Sequence, residues 1–300
     1  MVGIEFPRIP YDSTFPVFYD NDDHRDVYTD EYLIALASAG SIELIGMSTT
    51  YPAKTDAMAA EYREFVAGRR EIVERARRSG LRDLPDPIPG ADRVLLEPAS
   101  RKVEDTAPLH SAPAKFLVEK AHGLPAGKRI VVITGGPLTT PADAYLIWPG
   151  IADRIVVASL LGTPVDTSRW NGCLDAWATY IVATRLTYVQ FPTDIGAPRV
   201  PKNELARLPD NELTQWMRAK AHPHNGLPGD RDEDGQPAVA LMRPEYVHGV
   251  RRCRVADFDA GVCRFGDDPE GNVFLVTGCD GDGIGTTEFF RALRNPEAYR

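Results

Sequence analysis

Hydrophobic and polar positions alternate along the chain between short apolar runs and longer amphipathic stretches. Most runs are continuous and rich in Val and Ile, which is typical of strands buried on both faces of a sheet. The predicted strands are residues 17–19, 43–48, 129–134, 154–159, 187–191 and 272–277. Three of the helical patterns between them stop at a Gly suited to a left-handed C-cap, at residues 30–39, 56–79 and 111–122. Asp56 and Ser111 are the predicted N-caps of the last two.

This alternation predicts an α/β fold, with a mainly parallel sheet and helices on both faces. A chain of 300 residues can bury one large core, and we expect a single domain over residues 1–300. Residues 83–110 are predicted to be an irregular connection. Residues 192–236 hold several Pro and Gly around a short polar helix at about 204–221. This stretch is long for a plain connection, so we interpret it as a candidate cover over a site.

Composition and charge narrow the class of protein. The hydrophobic content of 43% and charged content of 26% are ordinary for a soluble globular enzyme. A net charge of -9, from 34 basic and 43 acidic residues, argues against a nucleic-acid partner. No apolar run approaches membrane-spanning length, and no signal segment begins the chain, so we expect a cytoplasmic protein without a membrane partner. The four cysteines show no CxxC spacing, which favours thiols in a reducing compartment.

The most distinctive segment is DNDDHRD at residues 20–26, which directly follows the first strand and which we call the acidic turn. Five carboxylates fall within eleven residues here: Asp20, Asp22, Asp23, Asp26 and Asp30. Clustered carboxylates repel one another, so a cluster held in one site usually needs a cation. The end of a strand is also where open α/β sheets bind ligands. A solvated acidic loop is the competing interpretation, and these residues alone leave both open.

Further segments follow the acidic turn in chain order. Residues 43–51 read ELIGMSTTY, residues 133–140 read ITGGPLTT, and residues 171–175 read NGCLD. Together the four segments resemble the nucleoside hydrolases, which are calcium-dependent N-ribohydrolases whose motifs read Asp-x-Asp, "ELLGITTVYGN", "ATGPLTN" and "FNIxxDPEAA". A weaker match, DGQPAVA at residues 234–240, lies where the family has a metal-binding Asp before an apolar helix.

The resemblance implies a Rossmann-like nucleoside hydrolase architecture with a Ca²⁺ site. Asp22, Asp30 and Asp234 would supply carboxylates, Thr134 would supply a backbone carbonyl, and Asp20 would support them. Ca²⁺ takes six to eight oxygen ligands, so this donor set suits it. The ion would acidify a bound water, and Asp22 would accept the proton as general base. A second interpretation of Thr134 is that the following Gly-Gly-Pro simply turns the chain after a buried strand.

The resemblance also implies a small-molecule nucleoside-like substrate and a homodimer or homotetramer. Asn171, at the matched fourth segment, is assigned to substrate binding and catalysis. Trp170 beside it could stack on a base. His24, inside the acidic turn, could touch substrate or only offset the charge of its neighbours. His222 and His224, in the candidate cover, could donate a proton to the leaving group or belong to a surface loop.

Departures from the family bear on the substrate. Thr29 replaces an Asp that grips a sugar hydroxyl in the family, and Asp26 or Asp23 could substitute for it. Residues 51–53 read YPA and lack the family's sugar-binding Asn. Arg169 replaces a Glu, which suggests an anionic group on the substrate, because a guanidinium forks onto carboxylate or phosphate. A structural ion pair is the alternative interpretation of Arg169.

Three hypotheses follow. The first is a Ca²⁺-dependent hydrolase that cleaves the N-glycosidic bond of a modified or anionic nucleoside-like substrate. The second is a different enzyme on the same scaffold with sugar recognition rebuilt. The third is a ligand-binding protein that kept the pocket and lost turnover.

Overall fold

One nine-stranded sheet runs through the described part of the computed structural model, which comprises residues 8–25, 27–220 and 231–299. Its strand order is β3-β2-β1-β4-β5-β6-β9-β7-β8. The strands are β1 (Val17–Asn21), β2 (Leu44–Thr49), β3 (Ile88–Pro89), β4 (Ile130–Thr134), β5 (Ile155–Leu160), β6 (Thr187–Phe191), β7 (Val247–Asp259), β8 (Val262–Asp267) and β9 (Val273–Cys279). Neighbours from β3 to β9 pair in parallel, whereas β7 is antiparallel to both β9 and β8. The predicted α/β class is confirmed, and the six predicted strands are present.

Helices cover the sheet on both faces. They are α1 (Thr29–Ser38), α2 (Asp56–Arg78), α3 (Ala112–Gly123), α4 (Thr139–Ile147), α5 (Trp170–Leu174), α6 (Ala176–Arg185), α7 (Lys202–Leu205), α8 (Glu212–Ala219), α9 (Gln236–Met242) and α10 (Thr286–Leu293). Successive side chains on β1 alternate between two cores. Val17 and Tyr19 pack with α1, α2, α9 and α10, while Phe18 packs with α3, α4 and α6. The polar ends of the strands therefore remain free to build a site.

One of the two predicted N-caps was wrong. Helix α2 is capped by Thr55, whose hydroxyl accepts a hydrogen bond from the Met58 backbone amide at 3.2 Å, so Asp56 is its first helical residue. Ser111 is the N-cap residue of α3, as predicted, but it makes no side-chain capping hydrogen bond. Its hydroxyl donates to the Asp143 carboxylate at 2.7 Å.

The antiparallel hairpin β7–β8 was missing from the sequence prediction. Its two-residue loop is Ala260-Gly261, and both residues have positive φ, at 49° and 78°, as the tight turns of hairpins require. On β7, Val250 and Cys253 are buried while charged residues between them face outward. Such a half-exposed strand alternates in character, so a search for continuous apolar runs passes over it.

The connection at residues 83–110 is irregular, as predicted, but polar contacts hold it in place. The Asp143 carboxylate on α4 accepts hydrogen bonds from the backbone amides of residues 109–111 at 2.8–3.1 Å. Asp175 accepts another from the Leu95 amide at 3.0 Å. Buried side-chain acceptors thus replace the regular pairing that this connection lacks.

The described part of residues 192–236 holds two short helices, α7 and α8, where one was predicted. The single-domain organisation over residues 1–300 stays a prediction. Across the described ranges, none of the helices combines the length and the apolar character needed to cross a membrane.

Candidate active site

A cavity with a volume of about 1140 Å³ opens at the carboxyl edge of the parallel sheet. It lies where β1 and β4 are neighbours, which is the point at which the strand order reverses and open α/β sheets bind ligands. Residues that follow six different strands line it: Asp22 after β1, Tyr51 after β2, Gly135 after β4, Leu161 after β5, Thr193 after β6 and Asp280 after β9.

Two of the predicted site residues, Asp22 and Asp234, come together in this pocket. Asp22 is 8% exposed. The Asp234 carboxylate accepts a hydrogen bond from the side-chain amide of Asn21 at 2.9 Å. A Cβ on Gly135 would come within 2.3 Å of the Asp234 carboxylate, and one on Gly136 would come within 2.8 Å of the Asp22 amide. The two glycines therefore let both acidic residues approach the end of β4.

Asp30 takes a different place. It lies in the first turn of α1, is fully buried, and faces the guanidinium of Arg69 from α2. Arg69 Nε lies 2.7 Å from one carboxylate oxygen, and Nη2 lies 3.4 Å from the other. Burial alone would raise the pKa of Asp30, but the charge and hydrogen bonds of Arg69 outweigh it and hold that pKa below its usual value.

Arg69 is the site residue that the sequence analysis missed. Its helix is rich in Arg and Glu, so residue type alone does not separate Arg69 from the exposed charges around it. The buried side of α2 comprises Phe65, Arg69, Ile72, Val73 and Ala76, which recur at helical spacing. An Arg at a position of the apolar stripe is a detectable signal, because a charged side chain facing a core requires a partner there.

The calcium site implied by the resemblance does not fit these residues as a full set. Asp22, Asp234 and Gly135, which follows Thr134 at the end of β4, line the pocket, but both oxygens of Asp30 face a buried guanidinium. No three His, Cys, Asp or Glu side chains within the described ranges are arranged to hold a metal ion. Asp20 is buried in β1 and accepts a hydrogen bond from the Ser48 hydroxyl at 2.6 Å, so it braces β1 against β2.

Asn171, Trp170 and Arg169 all line the pocket, on the side of α5. The Asn171 amide donates to the carbonyls of Gly135 and Leu160, which ties α5 to the ends of β4 and β5. Its buried Oδ1 has no hydrogen-bond partner among the described residues, so it remains available to a ligand. Trp170 is 63% exposed at the rim.

Arg169 has one recorded ionic partner among the described residues. Its guanidinium lies 3.5 Å from the Asp194 carboxylate, and both side chains are more than half exposed. This geometry matches the structural ion pair that the sequence left open. It also leaves the guanidinium accessible from the pocket.

His24 is buried and does not line the pocket. Its ring stacks on Trp216 at 6.3 Å between centroids and fills the space above Gly68, where a Cβ would come within 2.0 Å of it. Burial and the charge of Arg69 lower its pKa to about 4. The remaining candidates fall outside the described residues, namely Asp26, His222 and His224.

The family's sugar-gripping position is also buried. The Thr29 hydroxyl bonds to Asp232 at 3.0 Å, and both residues are 0% exposed. Asp23 reaches the pocket but carries an ion pair with Arg25 at 2.7 Å. Glu233 also lines the pocket, and burial followed by the nearby Asp194 raises its pKa.

Solved structures of other proteins resemble this fold, although their sequences differ from that of this chain. No family model and no curated protein matches the sequence. A plant nucleoside hydrolase superposes with a TM-score of 0.65 at 17% identity, covering 94% of this chain and 99% of its own. An inosine-uridine preferring nucleoside hydrolase from Bacillus anthracis gives 0.62 at 15% identity, covering 95% and 99%. The type III effector XopQ, solved with adenosine diphosphate ribose, gives 0.57 at 13% identity, covering 98% and 95%.

The chain therefore has the nucleoside hydrolase fold over nearly its whole length. The identities of 13–17% mark this chain as divergent from those proteins in sequence.

Proposed function

We propose that this protein binds a nucleoside-like molecule in the pocket and hydrolyses its N-glycosidic bond. The supporting observation is that Asp22 and Asp234 both line a cavity of about 1140 Å³, at the reversal point of a nucleoside hydrolase fold. A cavity of this size accommodates a nucleoside together with a substituent.

In the proposed reaction, Asp22 accepts a proton from a water as that water attacks the anomeric carbon. The bond from this carbon to the base nitrogen breaks, and the base leaves with the bonding electron pair and takes up a proton. Positive charge develops on the sugar ring in between, and the carboxylates of Asp22 and Asp234 stabilise it. Because Asp30 is paired with Arg69, Asp22 is the carboxylate to which we assign the proton transfer.

Charge along the pocket qualifies the prediction of an anionic substrate. Among the described residues, eight carboxylates and three guanidiniums line it. The carboxylates are Asp22, Asp23, Glu61, Asp194, Glu233, Asp234, Asp280 and Asp282. Such a lining favours neutral hydroxyl groups that donate hydrogen bonds, so we confine any anionic group of the substrate to the side of Arg169.

A panel of purine, pyrimidine, carboxylated and phosphorylated nucleosides tests this function. Release of free base by the wild type is expected for at least one of them. Asp22→Asn should lower kcat by about 10²–10⁴-fold, because a general base is lost. Asp153→Asn is the matched control, since this carboxylate is exposed and does not line the pocket. Full activity of Asp22→Asn would refute the assigned role.

A binding protein without turnover is the second candidate. The burial of Thr29 against Asp232 favours it, because the chain has lost a sugar contact on which catalysis in the family depends. Calorimetry on the same panel distinguishes the two candidates. Saturable binding with no base release by the wild type would establish the binding function.

A further inference from the structure

The guanidinium of Arg69 sits in a shell of oxygen atoms. The Asp30 carboxylate supplies two of them, and the backbone carbonyls of Asn21 and Ser48 supply two more, at 3.1 and 3.0 Å from Nη1. The Thr49 hydroxyl supplies the fifth. Carboxylate, carbonyl and hydroxyl oxygens are the groups with which proteins surround a hard cation. Arg69 thus occupies a cation environment, with Asn21, Ser48 and Thr49 coming from the carboxyl ends of β1 and β2.

This environment is built into the fold. Arg69 and Asp30 are both 0% exposed, and their contact joins α2 to the start of α1 directly behind the acidic turn. The neighbouring Glu31 is likewise paired, with the Lys220 ammonium at 2.6 Å, and both side chains are buried. The two consecutive carboxylates at the start of α1 therefore each have a protein cation as partner.

A divalent ion at Asp30 would have to displace or oppose the Arg69 guanidinium. Two positive charges a few ångströms apart in a buried site repel strongly, because little solvent screens them. Without Asp30, the oxygen ligands left for such an ion are those of Asp22, Asp234 and the end of β4. Asp234 already accepts a hydrogen bond from the side-chain amide of Asn21. Ca²⁺ ordinarily takes six to eight ligands, of which several come from carboxylates.

We propose that Arg69 takes the place of the divalent cation at the acidic turn, so that this site folds and holds its carboxylates without calcium. Arg69 is a positioning residue in this role: it fixes Asp30 and the ends of β1 and β2, and through them the orientation of Asp22. The positive charge is supplied by α2 and cannot dissociate.

The first test measures metal on the wild type. Elemental analysis of protein purified without chelator should find substoichiometric calcium. Added Ca²⁺, compared with a calcium chelator, should shift the melting temperature by less than about 1 °C, whereas a saturated site would raise it by several degrees. One calcium ion per chain, or a clear stabilisation of the wild type by calcium, would overturn the proposal.

The second test removes the guanidinium. Arg69→Ala frees Asp30, so its melting temperature should now rise on adding Ca²⁺. Arg70→Ala, an exposed neighbour on the same helix, should behave as the wild type does. Stabilisation by calcium in the wild type that disappears in Arg69→Ala would contradict the proposal. If Arg69→Ala does not fold, the measurement on the wild type still decides. Neither readout requires turnover, so a failure of the proposed hydrolysis would leave this inference standing.

Discussion

Asp22 lies in the acidic turn and Asp30 lies shortly after it, yet their side chains are in opposite environments. Asp22 borders a large solvent-filled pocket, while Asp30, eight positions further on, is sealed against Arg69 in the core. Asp22 lines the pocket, whereas Asp30, through Arg69, holds the ends of two strands and two helices together. Carboxylates that cluster in a sequence therefore need not share one ligand.

The largest expected effect separates these two residues by stability. Asp30→Asn should lower the free energy of unfolding by about 3 kcal/mol or more, because it leaves a buried guanidinium without its counter-charge. Asp22→Asn should change it by less than about 1 kcal/mol, because asparagine keeps the side-chain oxygen that accepts a hydrogen bond from the Asp23 backbone amide at 2.6 Å. Urea unfolding of both variants and the wild type provides the measurement. Equal losses of unfolding free energy in the two variants would contradict the different roles assigned to Asp22 and Asp30.

A smaller effect tests the buried side of the turn through pH. His24 has a pKa lowered to about 4, against about 6.5 in the unfolded chain. The unfolded state therefore binds more protons within this window, and stability is lost as the pH falls from about 6.5 towards 4. We expect the His24 contribution to fall by about 2 kcal/mol between pH 7 and pH 5.

Unfolding of His24→Asn at the same two pH values is the control. This variant should lose less stability over the interval than the wild type does, by about the same 2 kcal/mol. Identical pH dependence in the two proteins would show that His24 is accessible to protons in the folded state, in conflict with its burial.

The smallest effect concerns the pocket rim. Arg169 and Asp194 form an exposed ion pair at 3.5 Å, so their coupling energy should be at most about 1 kcal/mol. A double-mutant cycle of Arg169→Ala and Asp194→Ala in urea unfolding measures it. A coupling well above this value would assign Arg169 to structure and remove it from substrate binding.

Much of the fold could be predicted because continuous apolar runs indicate buried parallel strands. The position of the pocket followed from where those runs end. The partner of Asp30 could not be predicted from spacing, because Arg69 is distant in sequence and its helix also carries many exposed charges. The buried stripe of α2 contains the necessary signal, but only the fold shows which carboxylate that Arg meets.

The cap of α3 gives a second example of the same limit. Ser111 is the N-cap residue of α3, as its type and position predict, yet it makes no side-chain capping hydrogen bond. Its hydroxyl donates to Asp143, which lies more than thirty positions away and could not be identified from local spacing.

That same Asp143 has a wider consequence for the long connection at residues 83–110. Three consecutive backbone amides at its end are anchored to one carboxylate on α4. Segments that share such anchors open and close with the element that holds them. The end of this connection is thus part of the local unfolding unit of α4: its amides exchange with solvent only when that unit opens, although the segment has no regular secondary structure of its own there.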